Sequence, residues 1–208
     1  KRNITLLDLA THTSGLAYTF SIKGDLQEIY LQEKIFPYYA IDTLSDDVKP
    51  EKIYKDICTF SKKVATVPLA HQPGDEWTYS IGMDILGCVI EKASNMSFGN
   101  FLKKNIFEPL QMNDTFFKVP EAKRSRMTNL YAHHNAFKAF SVDIPKELKG
   151  KKPKMYLIDS SRDSLFYKNI TVEDGGSGLV STASDYSNFA QMLLDKGVYK
   201  GKRILSAD

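Results

Sequence analysis

A succession of apolar stripes at helical spacing, each closed by proline or glycine, limits what this chain can fold into more than any other feature. From Pro50 to Val64, residues Ile53, Ile57, Phe60 and Val64 recur on one face, and Pro50 suits a first turn. The stretch Ser80 to Lys92 repeats the pattern with Ile81, Ile85, Cys88 and Val89 on one side. Ser97 to Phe107 is another amphipathic segment, closed by Pro109. Tyr186, Phe189, Ala190, Leu193 and Leu194 form a last stripe, ended by Gly197. The chain therefore reads as helix-rich.

Shorter signals fill in the rest. Thr5 to Thr13 reads as a short helix, with Thr5 and Asp8 as a capping box and Gly15 as a stop. Asp25 to Phe36 is a second helix, ended before Pro37, and Tyr38 to Lys49 reads as irregular. Thr182 and Asp185 offer a second capping box. Thr115 to Val119, Met127 to His133 and Met155 to Ile158 are expected as short strands, and Gly175-Gly176-Ser177-Gly178 as a flexible turn. No internal repeat or low-complexity tract is present.

Composition narrows the function classes. The 208 residues suffice for one domain with a sizeable core, and 42% of them are hydrophobic. The net charge of +3 is spread among interspersed charges, which gives no footprint for nucleic acid. The lysines from Lys146 to Lys154 share their segment with Pro145 and Pro153 and read as a solvated loop. No stretch is long and apolar enough to span a bilayer. Cys58 and Cys88 lie on apolar stripes without a CxxC pattern and are expected to be buried free thiols. No metal site is expected. His133 and His134 are adjacent on a strand and would face opposite sides, with no carboxylate or cysteine pattern beside them. The glycine turn is not a phosphate loop, because no Gly-Lys-Ser/Thr follows it.

The chemistry-bearing stretch is Gln72-Pro73-Gly74-Asp75-Glu76-Trp77-Thr78-Tyr79-Ser80. A turn delivers Tyr79 to the start of an apolar helix, where a side chain can project into a cleft near the positive end of the helix dipole. That field favours a phenolate, so a tyrosine here can serve as a base near neutral pH. A packed or capping tyrosine is the structural alternative. His12, in a Thr-His-Thr-Ser turn, reads as a structural hydrogen-bonder.

Three segments, in order, resemble the superfamily of class C serine β-lactamases, penicillin-binding proteins and family VIII carboxylesterases. They are ITLLDLATHTSGL, the stretch QPGDEWTYSIGMDILGCVIEKASNMSFGNFLKKNIFEPLQMNDTFF, and GGSGLVSTASDYSNFAQMLLDKGVYKGKRILS. The resemblance implies an α+β, β-lactamase/transpeptidase-like fold, with this chain holding mostly the helical region and an incomplete sheet. It also implies a serine hydrolase that works through an acyl-enzyme with no cofactor. Tyr79 matches the tyrosine of the family's Tyr-x-Asn element. The family's S-x-x-K nucleophile motif is absent; Thr115-Phe116-Phe117-Lys118 is its nearest imitation and is rejected. Residues 1–208 are accordingly expected to be the central fragment of a single domain, lacking the N-terminal nucleophile region and the C-terminal strands, and inactive alone. The start at Lys1 without an initiator Met fits that expectation.

One departure bears on substrate. Ile81 stands where β-lactamases carry an amide side chain, and the loop after Gly15 carries Tyr18, Thr19 and Phe20 where they place a glutamine. A site built to hydrogen-bond its ligand loses discrimination when the partner is apolar. Tyr18, Phe20, Ile81 and Ser177 are therefore expected as substrate-binding residues, Tyr79 as catalytic, and the partner as a small-molecule ester or β-lactam, with the apolar changes leaning toward the ester. The alternatives are a β-lactamase or D-alanyl-D-alanine carboxypeptidase, and a non-catalytic binding protein for cell-wall peptides.

Overall fold

The computed structural model describes residues 2–35, 54–133, 155–168 and 170–207. Helix α1 (Leu6–Ala10) begins as the sequence predicts: Thr5 Oγ1 accepts from the Asp8 amide, and the Asp8 carboxylate accepts from the Thr5 amide. Helix α2 (Asp25–Gln32) follows Gly24. Its predicted end at Phe36 lies outside the described residues. Helix α3 spans Ile57–Val64, and the predicted start at Pro50 lies outside the described residues. Asp56 accepts from the Thr59 amide at 2.6 Å and from its hydroxyl at 2.8 Å, and this cap sets the first turn.

Helix α4 (Gly82–Ser94) is the hub, packed against α1, α3 and α5. A Cβ on Gly82 would strike the Leu9 carbonyl, so the glycine lets α4 start against the α1 backbone. Helix α5 (Phe98–Leu102) is capped by Ser97 and runs on as a π turn over Lys103–Phe107. The predicted single helix to Phe107 thus changes its hydrogen-bond pattern midway. Helix α6 (Ala183–Leu194) ends at Gly197, which has φ +82°. Thr182 caps it, but Asp185 does not complete the expected second box. Its carboxylate instead reaches the Asp114 amide at 2.7 Å and the Thr115 hydroxyl at 2.8 Å.

Strand content is small among the described residues. Strands β1 (Leu130–His133) and β2 (Met155–Asp159) pair antiparallel, with an irregularity between Leu130 and Tyr131. Strands β3 (Val198–Tyr199) and β4 (Lys202–Arg203) form a two-residue hairpin. Thr115 to Val119 is not a strand. Thr115, Phe117 and Val119 do alternate inward, but among the described residues the only ladder contact of this segment is an antiparallel bridge from Phe116 to Val180. His133 ends β1, while His134 and the Lys146 to Lys154 run lie outside the described residues.

The main core gathers Leu9, Tyr30, Ile57, Phe60, Val64 and Ile81 around α4, and a smaller cluster joins Phe107, Leu110 and Met112 to Met192 and Tyr199. The cysteine expectation is corrected: Cys58 and Cys88 form a disulfide between α3 and α4, with Cα atoms 4.9 Å apart. Each stripe was legible alone; that the two stripes face each other was not.

Candidate functional site

The segment leading to Tyr79 is fastened along the α1 exit. The Ala70 amide donates to the Gly15 carbonyl, Gly74 to Thr13, and Thr78 to His12, all at 2.8–2.9 Å. Gly74, at φ +90°, supplies the left-handed residue of the turn. Past the turn the Ser80 amide donates to His12 Nδ1 at 3.3 Å, and the Ser80 hydroxyl lies 3.2 Å from the same nitrogen. His12 therefore grips both neighbours of Tyr79, through its carbonyl on Thr78 and its ring on Ser80. With Nδ1 accepting from a backbone amide, the ring proton is assigned to Nε2. Burial lowers the His12 pKa, which favours that neutral ring.

Tyr79 is 43% exposed and lies two residues ahead of the α4 N-cap, Ile81. Its ring sits in an aromatic patch, 4.9 Å from His12, 5.1 Å from Tyr18, 6.1 Å from Phe20 and 6.3 Å from Trp77 between centroids. Its hydroxyl makes no hydrogen bond among the described residues. The amide of Tyr18 donates to the Tyr79 carbonyl at 3.3 Å, tying the two ring-bearing segments together.

Beneath this patch lie two buried carboxyl groups that the sequence reading did not single out. Asp84, on the first turn of α4, is 0% exposed, and Asp174 is 1% exposed. Asp174 accepts from the Gly176 amide at 2.6 Å, the Ser177 amide at 3.0 Å and the Ser177 hydroxyl at 2.8 Å. Asp84 Oδ1 accepts from the Gly175 amide at 3.0 Å. Asp84 Oδ2 is buried with no hydrogen bond of standard geometry; besides the Gly175 amide, the groups acting on the Asp84 carboxyl are the Asp174 carboxyl, the Tyr18 hydroxyl and the Gly176 amide. Burial, then the neighbouring Asp174, push the Asp84 pKa up to about 9. Burial, then Asp84 and Asp174, push the Tyr18 phenol up as well, so it stays a hydroxyl at neutral pH.

The predicted binding residues thus separate. Tyr18 and Phe20 stack at 5.1 Å beside Tyr79. Ser177 is exposed, but its hydroxyl is turned inward onto Asp174. Ile81 is 0% exposed within the main core; as the α4 cap residue it points inward with the apolar stripe. The glycine turn passes close to the patch: a Cβ on Gly175 would meet the Met83 carbonyl, and one on Gly176 the Tyr18 hydroxyl. A cavity of about 510 Å³, lined by Gly99, Lys103, Phe107, Phe116, Phe117 and Glu173 among others, shares no residue with this cluster. Asp84 had a signal in the sequence, since it falls on the buried stripe between Ile81 and Ile85. Asp174 had none.

The family model described as Beta-lactamase matches residues 1–207. Protein Rv1367c of Mycobacterium tuberculosis (strain ATCC 25618 / H37Rv) is 30% identical over 211 residues, covering 100% of this chain and 43% of that protein. The lovastatin esterase of Penicillium rubens is 32% identical over 131 residues, covering 62% of this chain and 28% of its own length. Among solved structures, unliganded simvastatin synthase (LovD) from Aspergillus terreus, in its selenomethionyl form, superposes with a TM-score of 0.63. Its identity is 22%, with 99% of this chain and 41% of that one covered. The chain spans less than half the length of these relatives.

Proposed function

Since the chain belongs to the Beta-lactamase family, with the β-lactamase-like fold its structural relatives share, we propose that it is part of a serine hydrolase that transfers acyl groups from esters through an acyl-enzyme, with Tyr79 as its general base. The observation that carries this reading is the state of Tyr79. Its backbone is fixed on both sides by His12, its ring is walled by aromatics, and its hydroxyl is left without a hydrogen bond among the described residues. A base must be held still and yet keep its reactive atom free. The reading assigns the serine and lysine of the nucleophile to sequence outside these 208 residues, where no S-x-x-K occurs.

The lean toward esters has two supports. The position that would carry an amide for a lactam substrate is Ile81, apolar and withdrawn into the core. Named relatives include two esterases and an acyltransferase. In full-length protein, Tyr79→Phe keeps the ring and deletes the proton carrier. Turnover of a short-chain nitrophenyl ester should fall by roughly a hundredfold or more, the scale for a lost general base, with the melting temperature unchanged. Near-normal ester turnover in that variant would sink the role of Tyr79. Hydrolysis of a chromogenic cephalosporin but no ester by the unmodified protein would sink the substrate class.

A further inference from the structure

Two carboxyl groups buried side by side are costly as a pair of anions, because like charges this close in a dry site cannot both ionise cheaply. The hydrogen bonds show how the pair resolves the conflict. Three donors converge on Asp174: two amides and the Ser177 hydroxyl. That is the environment of an acceptor carrying negative charge. Asp84 receives a single donor of standard geometry, the Gly175 amide, with the Gly176 amide and the Tyr18 hydroxyl as looser neighbours, and keeps Oδ2 buried facing Asp174. An oxygen in that position is satisfied if it bears a proton and donates it.

We propose that Asp84 and Asp174 act as one proton-sharing pair that positions the Tyr79 patch, with Asp84 as the acid and Asp174 as the carboxylate. The assignment of the patch as a catalytic surface rests on the function proposed above; the proton sharing does not. Through Asp174 the pair fixes the Gly175–Ser177 turn, and through Asp84 it fixes that turn to the first turn of α4. The Tyr18 hydroxyl sits where a Gly176 side chain would otherwise be, so the turn also sets the depth of the ring that packs on Tyr79. Asp84 and Asp174 are thus positioning residues. The titratable groups facing Asp84 among the described residues are Asp174 and Tyr18. Deprotonation of Asp84, whose pKa stands near 9, would put two anions in one buried site and push the turn away from α4.

Asp84→Asn tests this, because an amide reproduces a protonated carboxyl, with Oδ1 for the Gly175 amide and Nδ2 for Asp174. Denaturation midpoints of this chain and its variant should be compared between pH 5 and pH 9. The expected result is a difference in favour of Asp84→Asn that grows steadily with pH. A difference that does not change with pH, of either sign, would mean Asp84 carries no proton of its own and overturns the pairing. If the variant does not fold, carbon-13 aspartate titration of the unmodified protein decides: a side-chain carboxyl that stays protonated above pH 7 supports the pair, and its absence overturns it. In full-length protein, Asp84→Asn should carry esterase kcat/KM to higher pH than the unmodified enzyme does. An unshifted basic limb, with the stability result in hand, would remove the positioning role while leaving the shared proton. Failure of the Tyr79→Phe test alone would leave both stability arms standing.

Discussion

Asp8 and Asp84 are both withdrawn from water, 4% and 0% exposed, and both lie at the start of a helix. Around Asp8 the donors are numerous: both terminal nitrogens of Arg2 at 2.6 and 2.8 Å, the amide and hydroxyl of Thr5 at 2.8 and 2.7 Å, and the Thr13 hydroxyl at 3.2 Å. The Arg2 guanidinium and Thr5 hold that carboxyl far below the usual carboxylate range. Around Asp84 the neighbours are one standard amide donor, another carboxyl and a phenol, and its pKa moves the opposite way. Burial is the largest push on Asp84, whereas at Asp8 the donors outweigh it; depth and donor supply together choose between the two outcomes. Arg2 is half exposed, so part of the Asp8 pairing is screened by solvent.

The two sites give opposite pH dependence. A carboxyl with a depressed folded-state pKa adds stability above its unfolded value, near pH 4, and loses it as pH falls further. Asp8 should therefore contribute at neutral pH and fade in acid. A carboxyl with a raised folded-state pKa costs nothing below about pH 4, costs more with each step upward, and reaches its full cost above about pH 9 for Asp84. Each of the following changes alters one side of this contrast.

The largest effect should come from the disulfide, one turn along α4 from Asp84. Opening the Cys58–Cys88 link, which closes a 30-residue separation, should cost roughly 3–4 kcal/mol by loop-closure entropy. Cys58→Ser with Cys88→Ser should lower the unfolding free energy by that amount while leaving the pH slope between 5 and 9 intact. A slope that disappears with the disulfide would show that the Asp84 environment depends on the α3–α4 link rather than on Asp174.

Gly176→Ala comes next. Its methyl would collide with the Tyr18 hydroxyl and crowd Asp174 Oδ1. Overpacking of this kind costs about 1–3 kcal/mol. Trp77, the single tryptophan, packs on Tyr79 and should report the disturbance as a shift in its emission. Adding Tyr18→Phe removes the atom struck and should restore part of the loss, a coupling that a double-mutant cycle measures. Strict additivity of the two changes would separate the turn from the aromatic patch.

What the sequence disclosed and what it hid follow the same division between local and distant partners. The Thr5–Asp8 box, the Pro73-Gly74 turn, the helical stripes and the Gly197 stop are interactions within a few residues, and all were readable. Asp185 had the right spacing for a second box, yet its carboxylate was taken by Asp114 and Thr115 from far along the chain. The same holds for Cys58 with Cys88, and for Asp84 with Asp174: each partner alone looks ordinary. Ile81 carries two signals, its place in the Tyr-x-Asn pattern and its own stripe, and the buried side chain follows the stripe into the core cluster.

The smallest effect separates the parts of the Asp8 site. Thr5→Ala removes the hydroxyl that donates to the Asp8 carboxylate and that accepts from the Asp8 amide, while the Thr5 amide and Arg2 remain. Losing an N-cap of this type costs about 1 kcal/mol. Because Thr5 is one of the two residues depressing the Asp8 pKa, the variant's carboxyl should protonate at higher pH than before. Only in acid strong enough to neutralise the carboxyl in both folded proteins does that portion of the deficit go, leaving the cap's share. Denaturation midpoints taken from pH 7 into strong acid should therefore show the gap between variant and parent constant until the variant's folded carboxyl begins to protonate, well below about pH 4, and narrowing from there. A gap that stays constant would make Thr5 a cap for the α1 amides alone, with Arg2 carrying the whole shift of Asp8. The contrast with Asp84 would then rest on one half-exposed guanidinium, and salt, which screens such a pair, should erase it.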